Sequence, residues 1–338
     1  MRRLLLDGPG ALHWDEAPDP ADPAPGAALV RPVAVATCDL DVGVLQGRYP
    51  LPGPYPFGHE GVGDVVAVGE GVTAVTPGDR VVVPFQISCG ACDPCRRGRT
   101  GNCAEHPPLS TYGLGTMGGT GWGGLLADAV TVPHADAMLV PLPPRIDPVT
   151  VASASDNIPD GWRAVGPQLA AEPCAEVLVV GGGGAPSIGL YAAGIAVTLG
   201  AARVAYLDHS AARLEVAAAL GADPVEGAPP RKAGAFPVVV DASGTEDGLR
   251  CALNSTAFDG TCTSVAVYPQ DPAVPMFQMY SRCCTLHTGR AHARPAIPFV
   301  LDLVARGFDP GIVTSAVVDW DDAADALADP PLKLVVRR

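Results

Sequence analysis

The sequence has no apolar stretch close to the ~20 residues of a membrane-spanning helix, and it is poor in basic residues. Acidic residues outnumber basic ones 36 to 22 in 338 residues, which gives a formal charge of −14. A nucleic-acid partner is therefore excluded, because binding one requires a cationic surface that displaces counterions. Residues 1–6 are followed at once by Asp7 and Pro9 and lack the apolar core of a signal peptide. We expect a cytoplasmic protein without a membrane partner.

Glycine and proline are abundant, with 40 and 36 residues, but they separate periodic apolar segments and form no low-complexity tract. The apolar content of 48% is enough for large buried cores, and the length favours two domains. Residues 1–150 show short strand patterns broken by Gly and Pro. After a first strand at residues 1–6, the predicted strands are 28–35, 62–68, 80–84 and 127–132.

After Pro148 the pattern changes to alternating strands and helices, which indicates an α/β fold with a doubly wound parallel sheet. Residues 177–180 are an uninterrupted apolar run, typical of a strand buried on both faces of such a sheet. The further predicted elements are strands at 203–207, 236–241, 261–267, 285–288, 313–318 and 333–336, and helices at 187–200, 211–220 and 297–306.

Four of the ten cysteines lie within fifteen residues in the pattern C-x2-C-x2-C-x7-C. This spacing places thiolates a few ångströms apart on tight turns, which favours a tetrahedral metal ion over disulfides. Four protein ligands leave no open position, so the predicted ion is a structural Zn²⁺. A reduced cysteine-rich loop or an iron–sulfur site is the alternative. The predicted ligands are Cys89, Cys92, Cys95 and Cys103.

A glycine run at 181–189 follows the apolar strand and precedes a predicted helix, the arrangement that binds a pyrophosphate. The run contains G-x-G but is about three residues longer than G-x-G-x-x-G. Asp208 ends the next strand and would bind the ribose diol, and its carboxylate would repel a 2′-phosphate, which favours NAD(H) over NADP(H). Arg213 is expected to lie beside the adenosine of the cofactor. The alternative is an ordinary solvated arginine on a helix. The predicted cofactor-binding residues are Gly181, Gly183, Ser187, Ile188, Gly189, Asp208 and Arg213.

Two further segments contain candidate ligands, C-D-L-D at 38–41 and G-H-E-G-V-G at 58–63. Together with the cysteine loop, the glycine run and the G-D-R-V turn at 78–81, they resemble the zinc-dependent alcohol dehydrogenases of the medium-chain dehydrogenase/reductase superfamily. The resemblance covers nearly the whole chain.

The resemblance implies a GroES-like, β-rich catalytic domain formed by residues 1–150 and 292–338, with the structural-zinc loop at 89–103. A Rossmann NAD(P)-binding domain, residues 151–291, would be inserted into it. The same resemblance implies two zinc ions per chain, one catalytic and one structural, and a homodimer or homotetramer.

By this resemblance, Cys38 and His59 are ligands of the catalytic zinc. Glu60 is the carboxylate behind the metal, and Asp41 orients the His59 ring through its other nitrogen. The third ligand is expected from S-D-N-I-P at 155–159, which resembles a segment of glutathione-independent formaldehyde dehydrogenase relatives. In those relatives the aspartate binds zinc, so Asp156 is the expected ligand here. A helix N-cap is the alternative for Asp156.

The implied activity is NAD(H)-linked interconversion of a small-molecule alcohol with an aldehyde or ketone. Leu40 occupies a position where the family usually has a Ser or Thr that relays the alcohol proton, and Asp39, Tyr49, Tyr55, water or substrate are left as replacements. Two other functions stay open. One is formaldehyde-type aldehyde dehydrogenation or dismutation on the same fold, and the other is a nucleotide-binding scaffold whose active site has decayed.

Overall fold

The structure of the chain is a computed structural model. It describes the polypeptide at residues 1–49, 51–118 and 120–338. Within these ranges no helix has both the length and the apolar character that crossing a membrane requires.

Two compact units make up the described chain. Unit 1 consists of Met1–Pro159, His292–Leu301 and Thr314–Arg338, and unit 2 of Asp160–Ala291 and Asp302–Val313. Unit 1 therefore continues past the predicted boundary at residue 150. The reason is the 3₁₀ turn Ala152–Ser155, which packs against three strands of unit 1, and whose Ser155 hydroxyl accepts the Gly61 N–H at 2.7 Å.

The first part of the chain consists mainly of strands with short helices between them, and the remainder alternates helices and strands. The first part contains β1 (Arg2–Gly8), β2 (Ala11–Glu16), β3 (Ala28–Ala36), α1 (Asp39–Leu45), β4 (Tyr55–Pro56), β5 (Glu60–Val68), β6 (Arg80–Val83), α2 (Asp93–Arg96), α3 (Gly115–Gly118), β7 (Val130–Val132), α4 (Ala135–Met138) and β8 (Val140–Pro141). The remainder contains α5 (Asn157–Ala171), β9 (Val177–Val180), α6 (Pro186–Thr198), β10 (Val204–Asp208), α7 (Ala211–Ala219), β11 (Asp223–Glu226), β12 (Phe236–Asp241), α8 (Glu246–Ser255), β13 (Thr256–Ser264), α9 (Met276–Arg282), β14 (Thr285–His287), α10 (Ala293–Ala305), β15 (Ala316–Asp319), α11 (Ala323–Ala328) and β16 (Leu334–Arg337).

Unit 1 is rich in β-structure, as the strand patterns predict. One sheet has the order β15-β16-β3-β5-β6-β8, with β7 also paired to β3, and a second has the order β2-β1-β4. Strand β3 is central and pairs antiparallel with β5 and β16. Apolar side chains on its buried face, such as Val30, join Leu4, Val81 and Tyr112 in one core. The C-terminal strand β16 thus lies beside the end of β3, where α1 begins.

Unit 2 contains a six-stranded sheet in the order β11-β10-β9-β12-β13-β14, and every neighbouring pair is parallel. The predicted doubly wound α/β sheet is confirmed. All four residues of β9 are buried, which agrees with their apolar sequence. The strand order reverses between β9 and β12, and in such sheets ligands bind beyond the carboxyl ends of the strands at this point. The glycine run follows β9 at this position.

Candidate metal and nucleotide sites

The first candidate site begins where β3 passes into α1. Cys38 is the N-cap of α1, and its sulfur accepts the backbone N–H of Leu40 at 3.4 Å. In return, Oδ2 of Asp41 accepts the backbone N–H of Cys38 at 2.9 Å. This capping box fixes the positions of the thiol and of the carboxylate. The other carboxylate oxygen, Oδ1 of Asp41, lies 3.3 Å from Nδ1 of His59.

Four buried side chains from three segments of unit 1 meet at this place. One ligand atom from each of them lies within 4.8 Å of all the others. His59 and Glu60 stand at the start of β5, and Asp156 follows the turn Ala152–Ser155. The carboxylate of Asp156 faces the histidine ring, with Oδ2 at 3.3 Å from Nε2. The structure therefore brings together the predicted residues Cys38, His59, Glu60 and Asp156.

The cluster fits a divalent metal ion. Both ring nitrogens of His59 are buried, and within the described residues neither has an aligned hydrogen-bond partner, although carboxylate oxygens lie 3.3 Å away. Burial, reinforced by the negative charge of Asp156, raises the pKa of the Cys38 thiol, so its thiolate form requires a cation nearby. A sulfur, a nitrogen and carboxylate oxygens in one buried cluster are the donors that Zn²⁺ prefers.

The buried charged groups of the cluster shift one another's pKa values. Burial lowers the pKa of His59, but the carboxylates of Asp41 and Asp156 outweigh burial and raise it well above its ordinary value. Burial also raises the pKa of Glu60 to about 8, against the opposing effect of the Lys333 amine. Added positive charge, such as a metal ion, would displace the proton from His59 and favour ionised Glu60.

Sequence reasoning missed two residues of this site, Asn157 and Lys333. The Lys333 amine is fully buried and donates to the Thr37 carbonyl and, at 2.8 Å, to Oδ1 of Asn157. It also lies 3.3 Å from a carboxylate oxygen of Glu60. Nδ2 of Asn157 donates to the Cys38 sulfur at 3.1 Å. The sequence could have drawn attention to Lys333, because it is one of two lysines in the chain and directly precedes an apolar strand. Nothing in the sequence distinguishes Asn157.

Leu40, which occupies the position of the expected Ser or Thr hydroxyl, has apolar surroundings in the structure. The Leu40 side chain packs against the core of unit 1 and cannot relay a proton. The hydroxyl of Tyr55 is buried and has no hydrogen-bond partner in the part of the chain that the structure describes. Burial and the charge of Asp41 raise the pKa of Tyr55, so this hydroxyl stays protonated and can donate.

The four-cysteine loop forms the second candidate metal site. Its sulfur atoms all lie within 4.8 Å of one another, and all ten cysteines are free of disulfides. Backbone N–H groups point at the sulfurs, for example from Ala104 to Cys92 at 3.4 Å and from Cys92 to Cys89 at 3.3 Å. The Ala104 N–H is the main cause that lowers the pKa of Cys92 to about 6. Donors of this kind stabilise thiolates around a structural Zn²⁺.

We expect Cys92→Ser to release one zinc ion per chain and to lower the melting temperature, because a structural metal contributes folding free energy directly. Elemental analysis and thermal denaturation measure both effects. Cys174→Ser is the matched control, since Cys174 is exposed and outside the cluster. An unchanged zinc content in Cys92→Ser would contradict the assignment of this loop.

The predicted nucleotide site of unit 2 lies at the turn between β9 and α6. A Cβ on Gly181 would lie 2.4 Å from a carboxylate oxygen of Asp208, and one on Gly184 would lie 2.5 Å from the backbone of Gly244. A Cβ on Gly183 would meet nothing within 4 Å. The close approaches at Gly181 and Gly184 require glycine, whatever the length of the turn.

The other predicted cofactor residues lie on α6, which begins at Pro186, one residue before the predicted start. Ser187 and Ile188 are in its first turn. Gly189 is buried, and a Cβ on it would lie 2.8 Å from the Ala242 side chain, so this glycine lets the helix pack closely on the sheet.

The buried carboxylate of Asp208 and the partly buried guanidinium of Arg213 form a bidentate ion pair. Nε and Nη2 of Arg213 each lie 2.7 Å from a different oxygen of the Asp208 carboxylate. Burial opposes ionisation of Asp208, but the bonds from Arg213 and from the Ser210 N–H lower its pKa below the ordinary value. Arg213 is therefore not the solvated arginine of the alternative interpretation, because its side chain is only 18% exposed and holds the predicted ribose ligand.

Comparisons with known proteins cover both units. Residues 24–144 match the family model "Alcohol dehydrogenase GroES-like domain" and residues 187–305 match "Zinc-binding dehydrogenase". The chain is 32% identical to "Probable zinc-binding alcohol dehydrogenase Rv1895" of Mycobacterium tuberculosis, over 97% of this chain and 85% of that protein.

Two further comparisons concern a solved structure and a second sequence relative. The structure is similar to alcohol dehydrogenase TADH from Thermus sp. ATN1, with a TM-score of 0.85, 29% identity and coverage of 100% of this chain and 99% of that one. The sequence is also 33% identical to a glutathione-independent formaldehyde dehydrogenase of Pseudomonas aeruginosa, over 63% of this chain and 55% of that protein.

Proposed function

Because this chain belongs to the zinc-dependent alcohol dehydrogenase family of the medium-chain dehydrogenase/reductase superfamily, we propose that it interconverts an alcohol with an aldehyde or ketone, using NAD(H). It is an oxidoreductase with a GroES-like unit and a Rossmann unit. The observation that carries the proposal is the buried cluster of Cys38, His59, Glu60 and Asp156, in which sulfur, nitrogen and oxygen donors converge.

We assign Cys38, His59 and Asp156 as the protein ligands of a catalytic Zn²⁺, which leaves a fourth position for substrate. When bound, the zinc ion supplies a Lewis acid and the nicotinamide exchanges the hydride. The residues of the chain hold the proposed metal ligands in position. The α1 capping box holds the Cys38 thiol, and Asp41, 3.3 Å from Nδ1 of His59, directs the opposite ring nitrogen at the cluster.

The proposed preference for NAD(H) rests on Asp208 at the end of β10. We expect Asp208→Gly to lower the ratio of kcat/KM for NADH to that for NADPH by about tenfold or more, equivalent to about 1.4 kcal/mol. The carboxylate that would repel a 2′-phosphate is lost, and the Arg213 guanidinium it holds is released toward that phosphate.

Asp223→Gly is the matched control, because Asp223 also pairs with an arginine, Arg203 at 2.9 Å, but at an exposed edge of the same sheet. Its cofactor ratio should equal that of the wild type. A wild-type enzyme with the higher kcat/KM for NADPH would contradict the role given to Asp208.

Formaldehyde-type dehydrogenation or dismutation is the second candidate. The S-D-N-I-P segment and the Pseudomonas aeruginosa relative favour it. The test measures NADH oxidation over a panel of aldehydes and ketones, NAD⁺ reduction over the corresponding alcohols, and formaldehyde conversion without added cofactor.

Turnover that depends on added NAD(H) supports the first proposal. Formaldehyde conversion by the purified protein alone, with tightly held NAD recovered after denaturation, supports the second. No turnover with any pair, in protein with both metal sites filled, would support a decayed scaffold. Light scattering of the same preparation tests the expected homodimer or homotetramer.

A further inference from the structure

The buried lysine determines which way the amide of Asn157 points. A charged lysine amine only donates hydrogen bonds, so the Asn157 atom at 2.8 Å from Lys333 must be the carbonyl oxygen. The amide nitrogen therefore faces the opposite side. There it lies 3.1 Å from the sulfur of Cys38 and 3.3 Å from Oδ2 of Asp156. The N–H groups of one side chain thus point at two of the proposed metal ligands.

These contacts form a continuous chain that is shielded from water. Lys333 and Asn157 have no exposed surface, and Cys38 is 6% exposed. The lysine is held in place by the Thr37 carbonyl and by Glu60. In such surroundings hydrogen bonds strengthen one another, and a cation at one end makes the amide at the other end a better donor.

We propose that Asn157 and Lys333 are positioning residues whose hydrogen bonds set the geometry and the electron-donating strength of the Cys38 thiolate at the metal. The inference rests on the metal binding in the proposed function and adds two residues to it. An N–H donor withdraws electron density from sulfur, so the metal becomes a stronger Lewis acid than it would be beside a thiolate without this hydrogen bond. The Leu40 N–H is a second donor, at 3.4 Å, that side-chain variants leave intact.

Cobalt substitution tests the proposal by spectroscopy. The absorption band for charge transfer from thiolate to Co²⁺ moves to longer wavelength when the sulfur donates more strongly. The spectrum of Cys38→Ser, which keeps the four-cysteine ion, is subtracted from each spectrum to isolate the contribution of Cys38. We expect Asn157→Leu to shift the band to longer wavelength. We also expect its affinity for Co²⁺ at this site, measured by chelator competition, to fall about tenfold or more.

Two matched controls separate this effect from a general loss of packing. Asn254→Leu removes another buried asparagine, in unit 2, whose amide donates to the Arg231 carbonyl at 3.0 Å. Lys232→Met removes the other lysine of the chain, which is exposed. Both should keep the wild-type band.

Lys333→Met should shift the band in the same direction as Asn157→Leu, by a smaller amount. Because Lys333 acts on the sulfur through Asn157, the double variant should show no larger shift than Asn157→Leu alone. If Lys333→Met does not fold, Asn157→Leu still carries the test.

A wild-type band and wild-type Co²⁺ affinity in folded Asn157→Leu would overturn the proposal. Additive shifts in the double variant would overturn the part assigned to Lys333. A wild-type spectrum identical to that of Cys38→Ser is a different failure, because it would remove the metal from Cys38 and with it the proposed function.

Discussion

Asp156→Ala is expected to lose the metal ion of the Cys38–His59 cluster, to keep the ion of the four-cysteine loop, and to lose turnover by orders of magnitude. Cys38 and His59 alone are too few ligands for a stable site. Both directions of the proposed reaction need the charge of the metal at the reacting oxygen. Zinc stoichiometry and kcat, measured on the same preparation, show whether the two losses occur together.

Two variants distinguish a metal ligand from a helix cap. Asp156→Cys should retain the zinc ion but change the pH at which activity rises, because a thiolate places more electron density on the metal than a carboxylate does. Asp136→Ala removes an exposed aspartate that accepts the backbone N–H groups of Thr73 and Ala74 in a surface loop, and it should cost only about 1 kcal/mol of stability. If Asp156→Ala behaves like Asp136→Ala, with both metal ions present and near-normal turnover, the third ligand is not Asp156.

Lys333→Met is expected to lower the free energy of unfolding of the metal-loaded protein by about 3–5 kcal/mol, because Glu60 is ionised there and breaking a buried ion pair leaves one charge without a partner. Glu60 would lose the amine at 3.3 Å, and Asn157 would lose its donor at 2.8 Å. Urea titrations of the variant and the wild type measure the difference.

Replacing the partner as well tests the cause of this loss. In Lys333→Met combined with Glu60→Gln, no unpaired charge is left behind, so part of the stability should return. Lys232→Met, at an exposed position, should stay within about 0.5 kcal/mol of the wild type. A Lys333→Met protein as stable as Lys232→Met would show that the buried pair contributes nothing measurable.

Local patterns predicted the fold where one property dominates a segment. The apolar run of β9 formed a strand buried on both faces, and the prediction of residues 236–241 matches β12 (Phe236–Asp241). Strand β11 was missed, because its sequence D-P-V-E is polar and exposed and forms a strand only by pairing with β10 at the sheet edge. Its tertiary partner overrides its own propensity.

The candidate metal site was predictable in part. Cys38, His59 and Asp156 came from the resemblance to a known family, since positions so far apart in sequence cannot be associated by spacing alone. Asn157 and Lys333 were missed because their contact joins positions 176 residues apart, and no periodicity reports such a contact. The pair of Asp208 and Arg213 was missed for another reason. An arginine on a helix is usually solvated, and only the fold shows that this one turns toward the strand end.

Removal and return of the proposed catalytic metal ion tests the central claim most directly. Protein stripped of the ion at Cys38, His59 and Asp156, with the four-cysteine ion retained, is titrated with Zn²⁺ while NADH-linked turnover of the best substrate of the panel is followed. Turnover should be absent at the start and should rise in proportion to added zinc until one equivalent per chain is bound. Full turnover before any zinc is returned would contradict the account.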